Sequence, residues 1–207
     1  MNKRLGFTLA EVLITLGIIG IVAAMTIPTL MNQTGQAEFK TGFKKIISTM
    51  SQAITMSVAL NSSDFSNLTA GTTADTSIYG MFTSRMNVID TAIDTTGGGL
   101  RAGSFAAVDY SGNYTLFFSD GMALSFPTTC TTLTGGNLAT SCRGIVDVNG
   151  AKKPNKLTNC NGSATSTTEA VTTCTTANSV IGDRFSVRFA NQQIFPNGDA
   201  ARYVMYN

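Results

Sequence analysis

A long apolar run near the N-terminus constrains this chain more than any other feature of its sequence. Lys3 and Arg4 precede a stretch from Phe7 to Ile27 that contains one ionisable residue, Glu11. A helix rises about 1.5 Å per residue, so a helix of this length crosses the roughly 30 Å hydrocarbon core of a bilayer. The two cations favour a cytoplasmic N-terminus. We therefore expect a single membrane-spanning helix with the rest of the chain outside the cytoplasm.

Glu11 is costly in this setting and needs a partner. A carboxylate in a membrane helix costs about 2.5 to 3.5 kcal/mol on insertion scales. No basic residue lies between Phe7 and Gln36, so the partner is expected to come from elsewhere. Cleavage between Gly6 and Phe7 would remove both N-terminal cations and create an α-ammonium group close to Glu11 in sequence.

The residues around Gly6 resemble the N-terminal signature of the type IV pilin and pseudopilin family. That signature is a basic leader ending in Gly, then Phe-Thr-Leu-x-Glu and an unbroken apolar helix, and it matches Gly6-Phe7-Thr8-Leu9-Ala10-Glu11. The resemblance covers about the first thirty residues. It implies that prepilin peptidase cleaves after Gly6 and methylates the new Phe7 amine. It also implies that the helices then leave the membrane and stack into a filament.

The resemblance further implies roles for two other features of the apolar helix. Glu11 of one subunit is expected to meet the Phe7 ammonium of a neighbour, because each buried charge is tolerable only when the other is present. Pro28 matches the proline of the family's helix and is expected to kink it, since proline removes a backbone hydrogen bond.

Two other interpretations of the apolar run remain open. It could be a cleaved secretory signal with Val22-Ala23-Ala24 as the cleavage site, or a plain uncleaved anchor. A secretory signal has no use for Glu11, and an amphipathic pattern continues directly past Ala24. The pilin interpretation accounts for both observations.

The predicted domain organisation follows from length and pattern. Residues 1–6 are the leader, 7–60 form one long helix whose 7–30 part serves the membrane and assembly, and 61–207 form a β-rich domain. The chain has 14 basic and 12 acidic side chains, and cleavage after Gly6 removes two basic ones, so the mature chain has no net charge. This balance gives no sign of a nucleic-acid surface, and no nucleic-acid partner is expected.

The fold class predicted is α+β, with the long helix packed on an antiparallel sheet as in pilins. Between 32 and 60, apolar side chains recur at helical spacing and form one stripe, which would cover the sheet. Short apolar runs separated by turn residues predict the strands, and a short helix is expected at 78–89. The stripe consists of Phe39, Phe43, Ile46, Ile47, Met50, Ala53, Ile54 and Ser57 or Val58. The predicted strands are 105–110, 114–118, 122–126, 144–148, 184–189 and 202–206.

Four cysteines, Cys130, Cys142, Cys160 and Cys174, lie in the part expected outside the cytoplasm. An even number in an oxidising compartment predicts two disulfides, for which three connectivities exist. We favour Cys130 with Cys142 and Cys160 with Cys174, because each pair brackets a polar loop. Each closure would contribute about 3 kcal/mol. Zinc is the alternative, but the chain has no histidine and no close Cys-x-x-Cys pair.

A second candidate site comprises Asp147, Asn149, Asn155 and Asp183, whose oxygen atoms suit calcium. The resemblance supports calcium, since several filament subunits of the family bind it in C-terminal loops. The alternative is that Asn149-Gly150 forms a type I′ turn and the acids are solvated. No other cofactor is expected.

Residues 158–180 would be an insertion between a segment that ends at Leu157 and one that begins at Ile181. We therefore expect Leu157 and Ile181 to lie close together in space.

The function predicted is that of a structural subunit of a type IV pilus, type II secretion or related filament. Its partners would be other pilin subunits, prepilin peptidase, the assembly machinery of the inner membrane and membrane lipid. The chain would first span the cytoplasmic membrane once and then join a periplasmic or extracellular filament. The alternatives are an anchored adhesin or ligand-binding module and an exported enzyme. Without histidine, no Ser-His-Asp or Cys-His nucleophile can form.

Overall fold

The computed structural model describes residues 6–62, 64–65, 77–94, 113–127, 130, 142–150, 152, 154–160, 174–175, 179–190 and 192–207. Two compact units divide the chain, Met1–Glu38 and Phe39–Asn207. The predicted strand at 105–110 and most of the 158–180 insertion lie outside the described residues.

Three helices and eight strands make up the described part of the chain. The helices are α1 (Leu9–Asn61), α2 (Ile78–Thr83) and α3 (Gly198–Tyr206). The strands are β1 (Val88–Asp94), β2 (Asn113–Phe118), β3 (Ala123–Pro127), β4 (Arg143–Asp147), β5 (Asn159–Cys160), β6 (Ser179–Val180), β7 (Arg184–Ala190) and β8 (Gln193–Pro196).

The long N-terminal helix is present as predicted. α1 has 53 residues, and it begins two residues and ends one residue after the predicted range 7–60. Pro28 lies inside α1, and the helix continues through it. In the first unit nearly all described side chains are exposed, as expected for a helix whose apolar surface is meant for lipid or for other helices.

The main sheet has six antiparallel strands in the order β1-β2-β3-β4-β7-β8. β5 and β6 form a separate antiparallel pair. With the C-terminal half of α1 packed against the six-stranded sheet, the predicted pilin-like α+β fold is confirmed.

The predicted stripe on α1 provides one half of the core. Phe43, Met50 and Ile54 are fully buried, and the remaining members of the stripe are buried or packed against the same cluster. The rings of Phe43 and Phe185, from α1 and β7, stack with their centroids 4.2 Å apart. Burial of this stripe is the apolar contact that joins helix and sheet.

A tight turn at 119–121 joins β2 and β3, which correspond to the predicted strands 114–118 and 122–126. The Gly121 N–H donates to the Phe118 carbonyl over 3.0 Å, and Gly121 has a φ of 84°, which glycine adopts without strain. Asp120 in this turn forms an ion pair of 3.0 Å with Lys45 of α1. The pair is partly exposed, so it contributes at most about 1 kcal/mol.

Two predicted elements are wrong. The short helix ends at Thr83, and β1 follows it, because Val88, Ile89 and Thr91 are β-branched and pair with β2. Residues 202–206, predicted as a strand, belong to α3. Val204 and Ala201 are buried one turn apart, and this helical spacing determines the conformation despite the strand preference of the tyrosines.

Removal of the Phe43 ring should destabilise the second unit. Phe43→Ala is expected to lower the free energy of unfolding by about 3 to 5 kcal/mol, because it leaves a cavity against Phe185. Urea unfolding followed by circular dichroism would measure this change. Thr49→Ala, at an exposed position of α1, is the control and should change stability by about 0.5 kcal/mol or less. Equal effects of the two changes would contradict the packing described.

Candidate functional site

The N-terminus of α1 is closed by a capping box formed by Thr8 and Glu11. The Thr8 backbone N–H and the Thr8 hydroxyl each donate to Glu11 Oε2 over 2.8 Å. In return, the Glu11 N–H donates to Thr8 Oγ1 over 3.3 Å. Reciprocal bonds of this kind satisfy backbone donors that the first turn of a helix leaves free.

The capping box corrects the expectation that Glu11 has no partner within its own segment. Thr8 supplies two donors, and both hydrogen bonds end on Oε2. Among the described residues no hydrogen bond reaches Oε1, so a carboxylate oxygen is left for a donor outside the chain. The Thr-x-x-Glu spacing was visible in the sequence and would have predicted this contact.

Gly6 and Phe7 lie just before the first turn of α1 and are open to other molecules. The Phe7 side chain is 89% exposed. A Cβ atom placed on Gly6 would meet nothing within 4 Å, so no neighbouring group of the described chain restricts access there. The roles of Gly6, Phe7 and Pro28 in processing, assembly and kinking stay predictions.

The first half of α1 is long and apolar enough to cross a membrane. The most apolar stretch of this helix is not buried against any described part of the chain. The hydroxyl groups of Thr15 and Thr26 do not disturb this surface, because each donates to a carbonyl one turn earlier in the helix. Beyond Glu11, the described segment therefore offers an almost uniformly apolar exterior.

Both predicted disulfides are present. Cys130 is bonded to Cys142, and Cys160 to Cys174, with Cα atoms 5.5 and 5.6 Å apart. These bonds use all four cysteines, so the zinc alternative is wrong.

The second candidate site is organised by an internal ion pair between Asp147 and Arg184. Arg184 Nε donates to Asp147 Oδ2 over 2.8 Å, and both side chains are almost completely buried. The other carboxylate oxygen of Asp147 accepts the N–H of Asn149 over 3.1 Å. Sequence reasoning missed Arg184, because nothing local to Asp147 signals a cation 37 positions away.

Asp183, beside Arg184 in β7, binds a different part of the chain. Its two carboxylate oxygens accept the backbone N–H groups of Asn155 and Lys156 over 2.7 and 2.6 Å. Asn155 has a φ of 53°, a left-handed conformation that asparagine tolerates better than most residues. Asp183 thereby holds a tight bend in the segment that follows β4.

The structure contradicts the alternative to calcium binding, in which the acids are solvated and Asn149-Gly150 forms a type I′ turn. Asp147 and Asp183 are fully buried, so the acids are not solvated. The Asn149-Gly150 pair is not a type I′ turn, because only Gly150 of the two has a positive φ.

Calcium binding itself stays a prediction. Within the described residues no cluster of three acidic or cysteine side chains is present, and the ion would have to compete with Arg184 for Asp147. Asn155 Oδ1 is buried and accepts no hydrogen bond from the described residues, so it could serve as one ligand atom. Melting temperatures measured with calcium and with a chelator test it, and no difference would contradict it.

The two ends of the predicted insertion lie close together, as predicted. The Arg184 N–H donates to the Lys156 carbonyl, and Thr158 and Gly182 exchange two hydrogen bonds. β5 and β6 then pair at the base of the insertion, next to the Cys160–Cys174 bond. Gly182 is required at this crossing, because a Cβ atom there would collide with the Lys156 carbonyl oxygen.

Burial raises the pKa of Asp147 from 3.8 to about 6. The nearby Asp183 carboxylate acts in the same direction, while the hydrogen bond and the charge of Arg184 oppose it. Loss of hydration is therefore the dominant effect on this carboxyl group.

The comparison with known protein families concerns the N-terminus. Residues 1–27 match the prokaryotic N-terminal methylation motif. This motif is typical of type IV pilins and type II secretion pseudopilins. It implies processing by prepilin peptidase and assembly with pilin-like subunits. No curated protein and no solved structure shows significant similarity to the chain.

Motif, helix and sheet together define a class of protein. A methylation motif at the start of a long apolar helix, followed by a helix-covered antiparallel sheet, indicates a membrane-anchored, extracytoplasmic, pilin-like protein.

The raised pKa of Asp147 predicts how the contribution of this residue to the free energy of unfolding changes with pH. Between about pH 4 and pH 6 the folded chain binds a proton at Asp147 that the unfolded chain has released. The contribution of this group to the free energy of unfolding therefore falls as pH rises through that window, by up to about 1.4 kcal/mol per pH unit.

Urea unfolding at several pH values would measure this dependence. Asp147→Asn imitates the protonated form, so the stability of the wild type relative to this variant should fall between about pH 4 and pH 6. A difference that does not vary with pH would show that the pKa of Asp147 is ordinary.

Proposed function

We propose that this chain is a structural filament subunit, a pilin or pseudopilin of a type IV pilus, type II secretion system or related machine. The observation that carries the proposal is the match of residues 1–27 to the methylation motif at the start of an exposed apolar helix. The precursor would be inserted in the cytoplasmic membrane, cleaved after Gly6, methylated at Phe7 and assembled through α1. Such a role is structural and requires no catalytic residue.

Processing is supported by the accessibility of the cleavage point. Gly6 and Phe7 precede the first hydrogen-bonded turn, so a peptidase can bind them in extended form without unwinding α1. Gly6 presents no side chain to the enzyme. Cleavage leaves Thr8 and Glu11 in place, so the capping box survives in the mature chain.

Assembly is supported by the unused acceptor on Glu11. Oε2 is bonded to Thr8, while Oε1 accepts no hydrogen bond from the described residues and can accept one from the Phe7 ammonium group of a neighbouring subunit. Methylation keeps that amine cationic, so the attraction persists. In an apolar bundle each charge offsets the desolvation of the other, and either one alone would be strongly unfavourable.

The proposal includes a location and a set of partners. The apolar half of α1 would cross the inner membrane, with lipid as its first environment, and the domain carrying the two disulfides would lie outside the cytoplasm. Prepilin peptidase, the inner-membrane assembly machinery and other pilin subunits would act on it in turn. No nucleic-acid partner is proposed.

An anchored adhesin or ligand-binding module is the second candidate. It would keep the same helix and domain but would have no need for cleavage or methylation. The intact mass of the exported chain separates the two, because a filament subunit loses residues 1–6 and gains a methyl group.

Changes at Gly6 test the processing step. Gly6→Val should block cleavage, because a branched side chain stands immediately before the scissile bond, while Gly6→Ala should be cleaved more slowly. Gel mobility and intact mass of the membrane-extracted chain would measure both. Normal maturation of the valine variant would contradict the proposed cleavage after Gly6.

Changes at Glu11 test the assembly step. Glu11→Ala should be cleaved normally but incorporated into filaments about tenfold less or worse, because the Phe7 ammonium of the neighbour then lacks its acceptor. Glu38→Ala removes another exposed carboxylate from α1 and is the control. The amount of each variant in sheared filaments is the measurement, and equal incorporation of both variants would refute the pairing.

A further inference from the structure

The ladder between β4 and β7 carries a charged pair at each of its ends. Asp147 lies opposite Arg184 at one end, and Arg143 lies opposite Arg188 at the other. Partners in an antiparallel ladder point to the same face of the sheet, so the second pair places two cations side by side. Opposite charges stabilise such a pair, whereas like charges directly opposite each other destabilise it. The pair of Arg143 and Arg188 therefore requires negative charge close by.

Arg143 and Arg188 form the closer of the two kinds of antiparallel pair. The Phe189 N–H donates to the Cys142 carbonyl over 2.9 Å, so the adjacent pair is the hydrogen-bonded one. The two kinds alternate along a ladder, which makes Arg143 and Arg188 a non-hydrogen-bonded pair with Cα atoms about 4.5 Å apart. Because the two side chains start so close together, their guanidinium groups can reach one small ligand.

The two arginines lie on the face of the main sheet that is opposite α1. Gly144, the next residue of β4, faces the core, because a Cβ atom there would meet the Phe189 ring at 3.1 Å. Side chains alternate along a strand, so Arg143 points to the other face. Arg143 and Arg188 are both half-buried, so a solute can reach them from this face.

Neighbouring groups restrict the movement of both arginines. Arg188 lies opposite Phe195 of β8, and its guanidinium carbon is 5.5 Å from the centroid of that ring. This distance is that of a cation–π contact. Arg143 follows Cys142, whose disulfide to Cys130 restrains the start of β4. Such preorganisation lowers the entropy that the chain loses when a ligand binds.

The donor groups of this pair suit a phosphate group. Arg188 Nε is buried and has no hydrogen-bond acceptor among the described residues. A guanidinium has five N–H donors, so each arginine can bind an oxyanion in addition to another partner. Two adjacent N–H groups of the planar fork match two oxygens of a phosphate or a carboxylate. A phosphate monoester carries a charge of about −1.5 to −2 at pH 7 and so offsets both cations, whereas a carboxylate offsets one.

We propose that Arg143 and Arg188 form a binding site for a phosphate group on the face of the sheet opposite α1. The ligand is inorganic phosphate or a phosphate monoester carried by another molecule, because both present the same oxygens to the two guanidinium groups. The site does not depend on the proposed filament function, since it uses no residue of the N-terminal segment.

Thermal unfolding of the full chain in detergent tests this site. Sodium phosphate should raise the Tm of the wild type by about 3 °C relative to sodium chloride of equal ionic strength, because a ligand of the folded state stabilises it. Arg143→Gln should lose this rise, and Arg85→Gln, the matched control, should keep it. Arg85 is also a half-buried arginine, but it precedes β1 at the other end of the sheet order. Equal responses of the two variants would overturn the site.

Stability in chloride alone distinguishes a phosphate site from an internal ion pair. If Arg143→Gln lowers the Tm by the same amount in chloride and in phosphate, an acid of the chain holds Arg143, and the phosphate site is wrong. A Tm of this variant that equals or exceeds that of the wild type in chloride, with the response to phosphate lost, supports the site, because the substitution then removes a repulsion.

Equilibrium dialysis of the wild-type chain against radiolabelled phosphate needs no variant. It should show one phosphate bound per chain, and no bound phosphate would overturn the site. Competition then identifies the source of the ligand. Displacement by glycerol 3-phosphate at lower concentrations than by unlabelled phosphate indicates a monoester on another molecule, while displacement at equal concentrations indicates free phosphate.

Discussion

The exposed apolar surface on the first half of α1 is the constraint on which the rest of the protein depends. Large side chains such as Leu9, Ile19 and Met25 are more than half exposed, and burying one of this kind contributes about 1.5 to 3 kcal/mol. The described chain offers them no cover of its own, so lipid or other helices must supply it. The C-terminal half of α1 has no such deficit, because its stripe around Phe43 covers the sheet. The same helix therefore contains an exposed apolar half and a half that forms part of the core of the domain.

Two carboxylates illustrate how the chain accommodates acids in apolar surroundings. Glu11 is bonded within one helical turn by Thr8, and Asp147 is bonded across two strands by Arg184. Removing Arg184 would leave the buried carboxylate of Asp147 without its partner, and this cost exceeds the net gain from the intact pair. The local arrangement leaves a carboxylate oxygen of Glu11 open to another molecule, which suits assembly. The buried arrangement leaves Asp147 committed to the chain, while Asp183 holds the segment that enters the insertion.

Features that depend on residues close together in the sequence were predicted correctly, and features that depend on distant residues were not. The stripe on α1 and the β2–β3 hairpin were predictable, because helical periodicity and turn residues act over a few positions. The disulfide pairing was predictable for a similar reason, since each bond closes a short polar loop. The segment 202–206 was predicted as a strand because its residues prefer strands. It is part of α3 instead, because burial of Ala201 and Val204 in the core overcomes that preference. The Asp147–Arg184 pair could not be predicted, because it exists only where β4 lies beside β7.

By itself the sequence determined the methylation motif, the uncharged segment that follows it and the length of α1, because each is a property of consecutive residues. It also contained the capping box, as a threonine three positions before a glutamate. Only the tertiary structure decided which acid is paired with Arg184 and that Arg143 lies opposite Arg188. The physical reason is that burial and electrostatic pairing depend on which surfaces meet, and strands distant in sequence meet only after the sheet has formed.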